Sequence, residues 1–367
     1  MAQKPIRSLR EDSKLGIHPG GDGEVHKNPS GGLPKPSRRG GDRKGNKGVQ
    51  PAVQPSLTIE SLRSEVDSLI EQVRTYKSRY SEAVATVKKA SSVKFKRATV
   101  KPRPKLKGDF VEVIVSDIHG NKHDPAAFAA FEADLKVINP NRVFLGGDIM
   151  DCGGFLAEHH TLGYVADGLD CYEDDLAATN DILNRIQSAA PSANIHYLEG
   201  NHEWRVERWA LTQRLAHHRD IEMLRQTFCA EHRLGLAERG ITYYRQGLRH
   251  TGCSIQGWVN LDNLFYVHKI SNAVDAGRVA VSKTGGNVVF FDTHRSAFAP
   301  KKMPAAGLIA AWNPGCLCKL QPLYANTNPT GWTHGYLVRF VSRTGLFQMV
   351  NISIENGISF GQSMFSR

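Results

Sequence analysis

No apolar run in this 367-residue chain approaches the roughly 20 residues that a membrane-spanning helix needs, so no membrane partner is expected. The opening MAQKPIRSLREDSK lacks the apolar stretch of a secretory signal. Cysteine is sparse: the six at 152, 171, 229, 253, 316 and 318 show no disulfide-framework spacing. Cys316 and Cys318 form C-x-C, not the C-x-x-C of zinc and redox sites. Together these absences predict reduced thiols and a cytoplasmic setting. Apolar side chains are also few in the first hundred residues, so the hydrophobic core must come from the rest of the chain.

Acidic residues are missing from one place in particular. Positions 88–107 carry nine Lys/Arg and no Asp or Glu. Residues 1–55 hold 11 Lys/Arg against 5 Asp/Glu, whereas 108–367 hold 23 against 26. The net charge of +11 therefore belongs to the N-terminal extension, and the remainder is slightly acidic. With Gly-Gly at 20–21, 31–32 and 40–41 and scattered proline, residues 1–55 read as a disordered basic arm. A helix is predicted over 56–90. Its apolar positions Ile59, Leu62, Val66, Leu69, Val73, Tyr76, Tyr80, Ala83 and Val87 alternate in steps of three and four. That is the seam of a coiled coil, and it predicts self-association through 59–87, fraying where the tyrosines and alanine replace good core residues. The alternative is an amphipathic helix packed on its own domain. A basic linker, 91–108, reads as a solvated spacer or as a contact for a polyanion such as nucleic acid.

From residue 109 the texture becomes that of a folded domain reaching to 367. Strands are predicted at 110–115, 142–145 and 194–198, with helices over 126–137, 167–190 and 203–229. Later strands are expected at 241–245, 264–268, 287–291, 336–341 and 346–354. Alternating β and α elements leading into β-rich sequence predict an α/β layered sandwich of two mixed β-sheets flanked by helices. Ligands in such folds collect beyond the carboxyl ends of strands.

The chemistry-bearing residues fall at those ends. Ser116-Asp117-Ile118-His119-Gly120 comes after the first strand, and Gly146-Gly147-Asp148-Ile149-Met150-Asp151 after the second. Glu199-Gly200-Asn201-His202-Glu203 comes after the third. His268 succeeds Leu264-Phe265-Tyr266-Val267, and Asp292-Thr293-His294 succeeds Val288-Val289-Phe290-Phe291. Mixed carboxylate, imidazole and amide donors suit Mn, Fe, Zn, Co or Ni better than Ca or Mg. The donors are too many for one ion, and two ions clamping a phosphoryl group fit their number.

This pattern resembles the calcineurin-like metallophosphoesterase superfamily, whose motifs run D-x-H, G-D-x-x-D, G-N-H-[DE], a strand-end His, and G-H-x-H. The resemblance implies two divalent ions, manganese foremost, and hydrolysis of phosphoesters by a bridging hydroxide. It implies Asp117 and His119 as ligands of a first ion, Asp148 as the shared carboxylate, and Asn201 and His268 as ligands of a second. His294 matches the last histidine of G-H-x-H. His202 matches the histidine that protonates the leaving group, with Asp151 orienting it. Two departures stand out. Asp292 occupies the place of the first histidine of G-H-x-H, where a carboxylate can still ligate. Cys152 sits directly after Asp151, so the phosphate-gripping arginine of G-D-x-x-D-R-G is missing, which argues against a protein phosphatase; Arg205, Arg208 and Arg295 are its nearest substitutes in sequence. GNHEWRVERW looks like members from phages and bacteria, which would place a viral chain in its host's cytoplasm. Three readings of the substrate stay open: a nuclease or DNA-end phosphatase, a nucleotide or small-molecule phosphatase, and a non-catalytic nucleic-acid-binding scaffold with a degenerate site.

Overall fold

The computed structural model describes residues 59–92, 95–97, 108–153, 172–212, 218–304, 307–322 and 329–365. The basic arm, most of the linker and the acidic stretch up to Cys171 lie outside the described residues. The chain divides into two units, 1–68 and 69–367. Helix α1 (Ile59–Ser92) forms as its periodicity predicts. Its residues Ile59, Leu62, Val66, Leu69, Ile70 and Val73 are exposed.

The second unit holds two mixed sheets. Strands β1 (Phe110–Val115), β2 (Arg142–Leu145), β3 (Asn194–Leu198) and β4 (Thr242–Tyr244) run parallel. The other sheet contains β5 (Trp258–Leu261), β6 (Leu264–Val267), β7 (Val288–Phe290), β8 (Ala297–Met303) and β9 (Gly307–Asn313), in the order β5-β6-β7-β9-β8. Strands β10 (His334–Val341), β11 (Phe347–Glu355) and β12 (Ile358–Ser359) extend the first sheet antiparallel from β1, giving β12-β11-β10-β1-β2-β3-β4.

The alternation of side chains along each strand builds the layers. On β1 and β2, Val113, Val115, Val143 and Leu145 face α2 (Pro125–Ile138) and α3 (Tyr172–Ala189), meeting Phe128, Phe131, Leu135, Leu176, Ile182 and Ile186. One residue over, Ile114 and Phe144 turn to the opposite face and pack with Tyr266, Val289, Phe291 and Trp312 of the second sheet. Because both faces are covered, these strands read as continuous apolar runs rather than alternating ones. Glu112, on the inter-sheet face, is fully buried and accepts hydrogen bonds from Tyr266 (2.7 Å) and Arg339 (3.1 Å). The Tyr266 hydroxyl comes from the second sheet and ties it to the first, while Arg339, on β10 of the same sheet, pairs the buried charge. Helix α2 starts where Asp124 caps Ala126 and Ala127, with proline at its first position, and ends at Asn139 in the left-handed region.

Three observations depart from the expectations. The helix predicted over 203–229 is described as α4 (Asn201–Thr212) and α5 (His218–Phe228), with 213–217 outside the described residues. The short α6 (Ala230–Arg233) comes next. The second sheet gains β8 and β9, and α7 (Ala276–Thr284) covers it through Ala276, Ala280 and Val281. Small residues make a weak periodic signal, and β8 carries Pro300, tolerated because the strand is an edge. Finally, the linker is not a solvated spacer throughout. Phe95 packs on the helix-side core, and the Lys96 carbonyl accepts from the side chains of Asn180 (3.1 Å) and Asn184 (2.9 Å). A short helix α8 (Phe360–Phe365) closes the described chain.

Candidate metal centre

The parallel strands β1, β2, β3, β6 and β7 deliver the candidate residues to one rim, and the chain must bend sharply beyond each strand to do so. Asp117, His119, Asp148, Asp292 and His294 all hold positive φ, between 50° and 68°. Non-glycine residues avoid this region, but Asp, Asn and His tolerate it best. The turns are locked to one another by main-chain hydrogen bonds: Asp117 N–H to Gly147 O (3.0 Å), His119 N–H to Asp148 O (2.9 Å) and Gly120 N–H to Ile149 O (2.7 Å). A Cβ at Gly147 would meet His268 Nδ1 at 2.6 Å and the Gly200 Cα at 2.7 Å, so only glycine lets these loops approach.

The side chains then converge as acceptors facing acceptors. His268 Nδ1 lies 2.7 Å from the Gly146 carbonyl, which can only accept, so Nδ1 carries the hydrogen and Nε2 faces inward. That Nε2 lies 3.2 Å from Asp148 Oδ2 and 3.1 Å from Asn201 Oδ1. On the other side, His294 Nε2 lies 3.0 Å from Asp117 Oδ1 and 3.3 Å from His119 Nε2. Neither Asp117 oxygen accepts a directed hydrogen bond among the described residues, although both are buried. The close approach of Asp117 to His294 without hydrogen-bond geometry is what donors aimed at a common cation show. The residues present therefore fit divalent metal ions. Three donor groups within mutual ligand reach result: Asp117, Asp148 and His268; His119, Asp148 and His202; and His119, His294 and Cys318.

Electrostatics separates the histidines. Burial alone would lower all four. At His119 the hydrogen bond to Asp151 and the negative groups around it together outweigh burial and raise the imidazole to about 10. At His268 Asp148, with the charges of Asp117 and Asp292, does the same, to about 10, and at His294 Asp117 together with Cys318 raises it to about 9. Burial pushes Asp117 up, yet His294 holds it below its ordinary value; Asp148 is held well below by His268 and His202 in the same way. His202 goes the other way: burial, with the positive charges of His119 and Arg205, lowers it to about 4 despite Asp148. It is the one histidine of the four that stays neutral at neutral pH.

Asp151 and His202 divide their contacts unequally. The Asp151 carboxylate lies 3.0 Å from His119 Nδ1 and 3.5 Å from His202 Nδ1. The close partner of His202 Nδ1 is the Asp151 main-chain carbonyl, at 2.6 Å. Asp292 joins none of the three donor groups; Lys269 Nζ holds both its oxygens, at 3.1 and 2.9 Å. Arg205 lies near His202, Arg208 stacks on Trp204, and Arg295 donates to the Ala273 carbonyl. Besides Lys269, sequence reasoning missed Cys318 and Glu203. Cys318 Sγ lies 3.7 Å from His294 Nδ1, and the C-x-C spacing gave no hint of it. Glu203, visible in the sequence only as the last letter of G-N-H-E, binds the turn beneath Asp148.

The model of the calcineurin-like phosphoesterase family matches residues 113–322. Among curated proteins, none matches the sequence. Similar solved structures include vacuolar protein sorting 29 from Cryptosporidium parvum (11% identity, TM-score 0.34, covering 69% of this chain and 95% of that one). A Vps29 single mutant from Entamoeba histolytica (10%, 0.31, 68% and 95%) and Yfce, a phosphoesterase from E. coli (13%, 0.28, 65% and 98%), are also similar.

The raised histidines generate a pH prediction. Their folded-state values exceed the ordinary 6.5, so in the metal-free chain their stabilisation is complete below 6.5 and is lost as pH rises through about 9 to 10. A cation must displace those same protons. The melting temperature of the metal-free protein is therefore expected to fall, and Mn(II) affinity to climb, across one window. Calorimetric titrations and thermal melts through that window check both; an affinity flat with pH would contradict the assignment.

Proposed function

Since the chain belongs to the calcineurin-like phosphoesterase family, we propose that it is a hydrolase of phosphoesters working with two divalent ions, manganese foremost, and acting on nucleic acid. The observation that carries the two-ion reading is the sharing of Asp148. It is common to the group with Asp117 and His268 and to the group with His119 and His202. Asp117 also approaches His294 at 3.0 Å, and we allot it to that side while keeping His202 for proton transfer. On this allotment Asp117, His119, Asp148 and His294 would hold one ion, and Asp148, Asn201 and His268 the other. Such a pair, when bound, supplies water activation and neutralises charge on a phosphoryl group undergoing in-line displacement.

The remaining residues handle protons. His202 donates Nδ1–H to the Asp151 carbonyl, which leaves Nε2 as the atom free to exchange a proton with substrate. Its value near 4 leaves Nε2 bare before substrate arrives. A phosphate carries the opposite charge to the neighbours that depress it, so binding raises His202 and loads Nε2 with the proton that the departing alkoxide needs. Asp151 accepts from His119 and so orients its ring. Replacing His202→Asn should lower turnover of an alkyl phosphodiester by about 10²- to 10⁴-fold. Hydrolysis of a nitrophenyl ester, whose leaving group needs no proton, should fall far less, with metal content unchanged. Loss of metal in this variant would make His202 a ligand instead.

The choice of nucleic acid rests on charge placement. A slightly acidic catalytic part joined to a stretch of nine cations fits a division between holding a polyanion and cutting it. Replacing Lys101, Arg103, Lys105 and Lys107 with Gln should weaken DNA binding. It should also flatten its dependence on salt by about one unit of slope per lost phosphate contact. Turnover of a small phosphodiester should be unaffected. Binding and slope identical to the original chain would favour a nucleotide or small-molecule substrate.

Helix α1 supports assembly through its exposed stripe. Two such helices pairing as a coiled coil would bury Ile59, Leu62, Val66, Leu69 and Val73. Leu62→Asp together with Leu69→Asp should reduce the mass measured by light scattering to that of one chain. A one-chain mass before substitution would sink the pairing.

A further inference from the structure

The residue that departs most from the family pattern is also the one candidate ligand that stands outside every donor group except Asn201, which the amide oxygen places beside His268. Asp292 comes directly after Phe291 at the end of β7 with φ of 68°, a conformation that fixes where its side chain begins. Lys269 is the residue after His268, and the Phe291 N–H to His268 O bond (3.0 Å) sets the two turns side by side. The ammonium reaches both carboxylate oxygens, at 3.1 and 2.9 Å. Asp292 is nearly buried, at 11% side-chain exposure, and Lys269 is half exposed at 49%. Meanwhile His268 Nε2, Asn201 Oδ1 and Asp148 Oδ2 already converge without it.

We propose that Lys269 sets the affinity of the second cation position by keeping Asp292 for itself. This rests on the two-ion reading given above. With Asp292 neutralised by an ammonium, the second position keeps three protein donors and loses one negative charge that would draw a cation in. The first position keeps Asp117, His119, Asp148 and His294. The two positions therefore differ in affinity, and the second fills only when the cation is abundant. Lys269 acts through Asp292 and is a positioning residue; it takes no part in bond breaking.

The test uses the full chain and Mn(II), with calorimetric titration for affinities and electron paramagnetic resonance for coupling between neighbouring ions. The original protein should bind two ions with affinities at least about tenfold apart, the coupled signal emerging only as the weak position fills. Lys269→Met keeps the aliphatic stem and removes the charge, so the weak position should tighten about tenfold or more while the tight one is unchanged. Asp292→Asn alone should change the weak position little, yet in the Lys269→Met background it should abolish the gain. Two ions of equal affinity in the original chain, with one lost in Asp292→Asn, would overturn the proposal by making Asp292 a standing ligand. A single ion in both the original chain and Lys269→Met would overturn the two-ion reading itself, and the proposal with it.

Discussion

The Glu203 carboxylate is the contact on which the centre hangs. It is buried and accepts from the main-chain N–H of Asp148 (3.0 Å), Ile149 (2.8 Å), Met150 (3.1 Å) and Gly200 (2.9 Å), and from the Tyr197 hydroxyl (2.6 Å). The four main-chain donors belong to two different strand loops, so one side chain welds the turn after β2 to the start of α4. A charged acceptor makes each of these bonds stronger than a neutral one would. Burial and the nearby Asp148 push Glu203 upward, and the donors around it work the other way. Without this clamp Asp148 would lose a main-chain anchor of its left-handed turn, and the residue shared between the donor groups would lose its aim.

Around that clamp the centre is organised as a set of acceptors with too few donors. Asp117, Asp148, Asn201 and the inward nitrogens of three histidines face one another across about 3 Å. In the metal-free chain protons fill the deficit, which is why His119, His268 and His294 are raised together. His202 lies at the margin of this deficit. Burial and the positive charge of its neighbours outweigh the carboxylates beside it, and that difference of environment sets His202 apart from the three raised histidines.

Much of this was legible in the sequence because strand ends and motif spacing are local signals. The runs FVEVIV, RVFL and NIHYL mark their own ends, and the residues directly after them could be nominated without knowing the fold. The contributors that stayed hidden depend on contacts distant in sequence. Cys318 meets His294 across 24 positions, Lys269 meets Asp292 across 23, and Glu203 reaches back more than 50 to the turn it clamps. The docking of Phe95 and Lys96 was masked by composition, since a lysine-rich stretch reads as solvated whichever residues within it find partners. Helix α7 escaped for a related reason: alanines pack closely but leave a faint pattern.

The left-handed turns impose a filter that operates before any question of metal chemistry. At 117, 119, 148, 292 and 294 a newcomer must first accept a backbone that β-branched and bulky side chains resist. Aspartate, asparagine and histidine pass; valine, isoleucine and threonine do not. The exchange of histidine for aspartate at 292 is thus a move within the short alphabet the turn permits, one that changes charge and reach without disturbing the chain's path. Substitutions at this rim that keep the backbone path are those among these same few side chains. Cation preference here can be retuned in small steps, while the scaffold that presents the donors stays as it is.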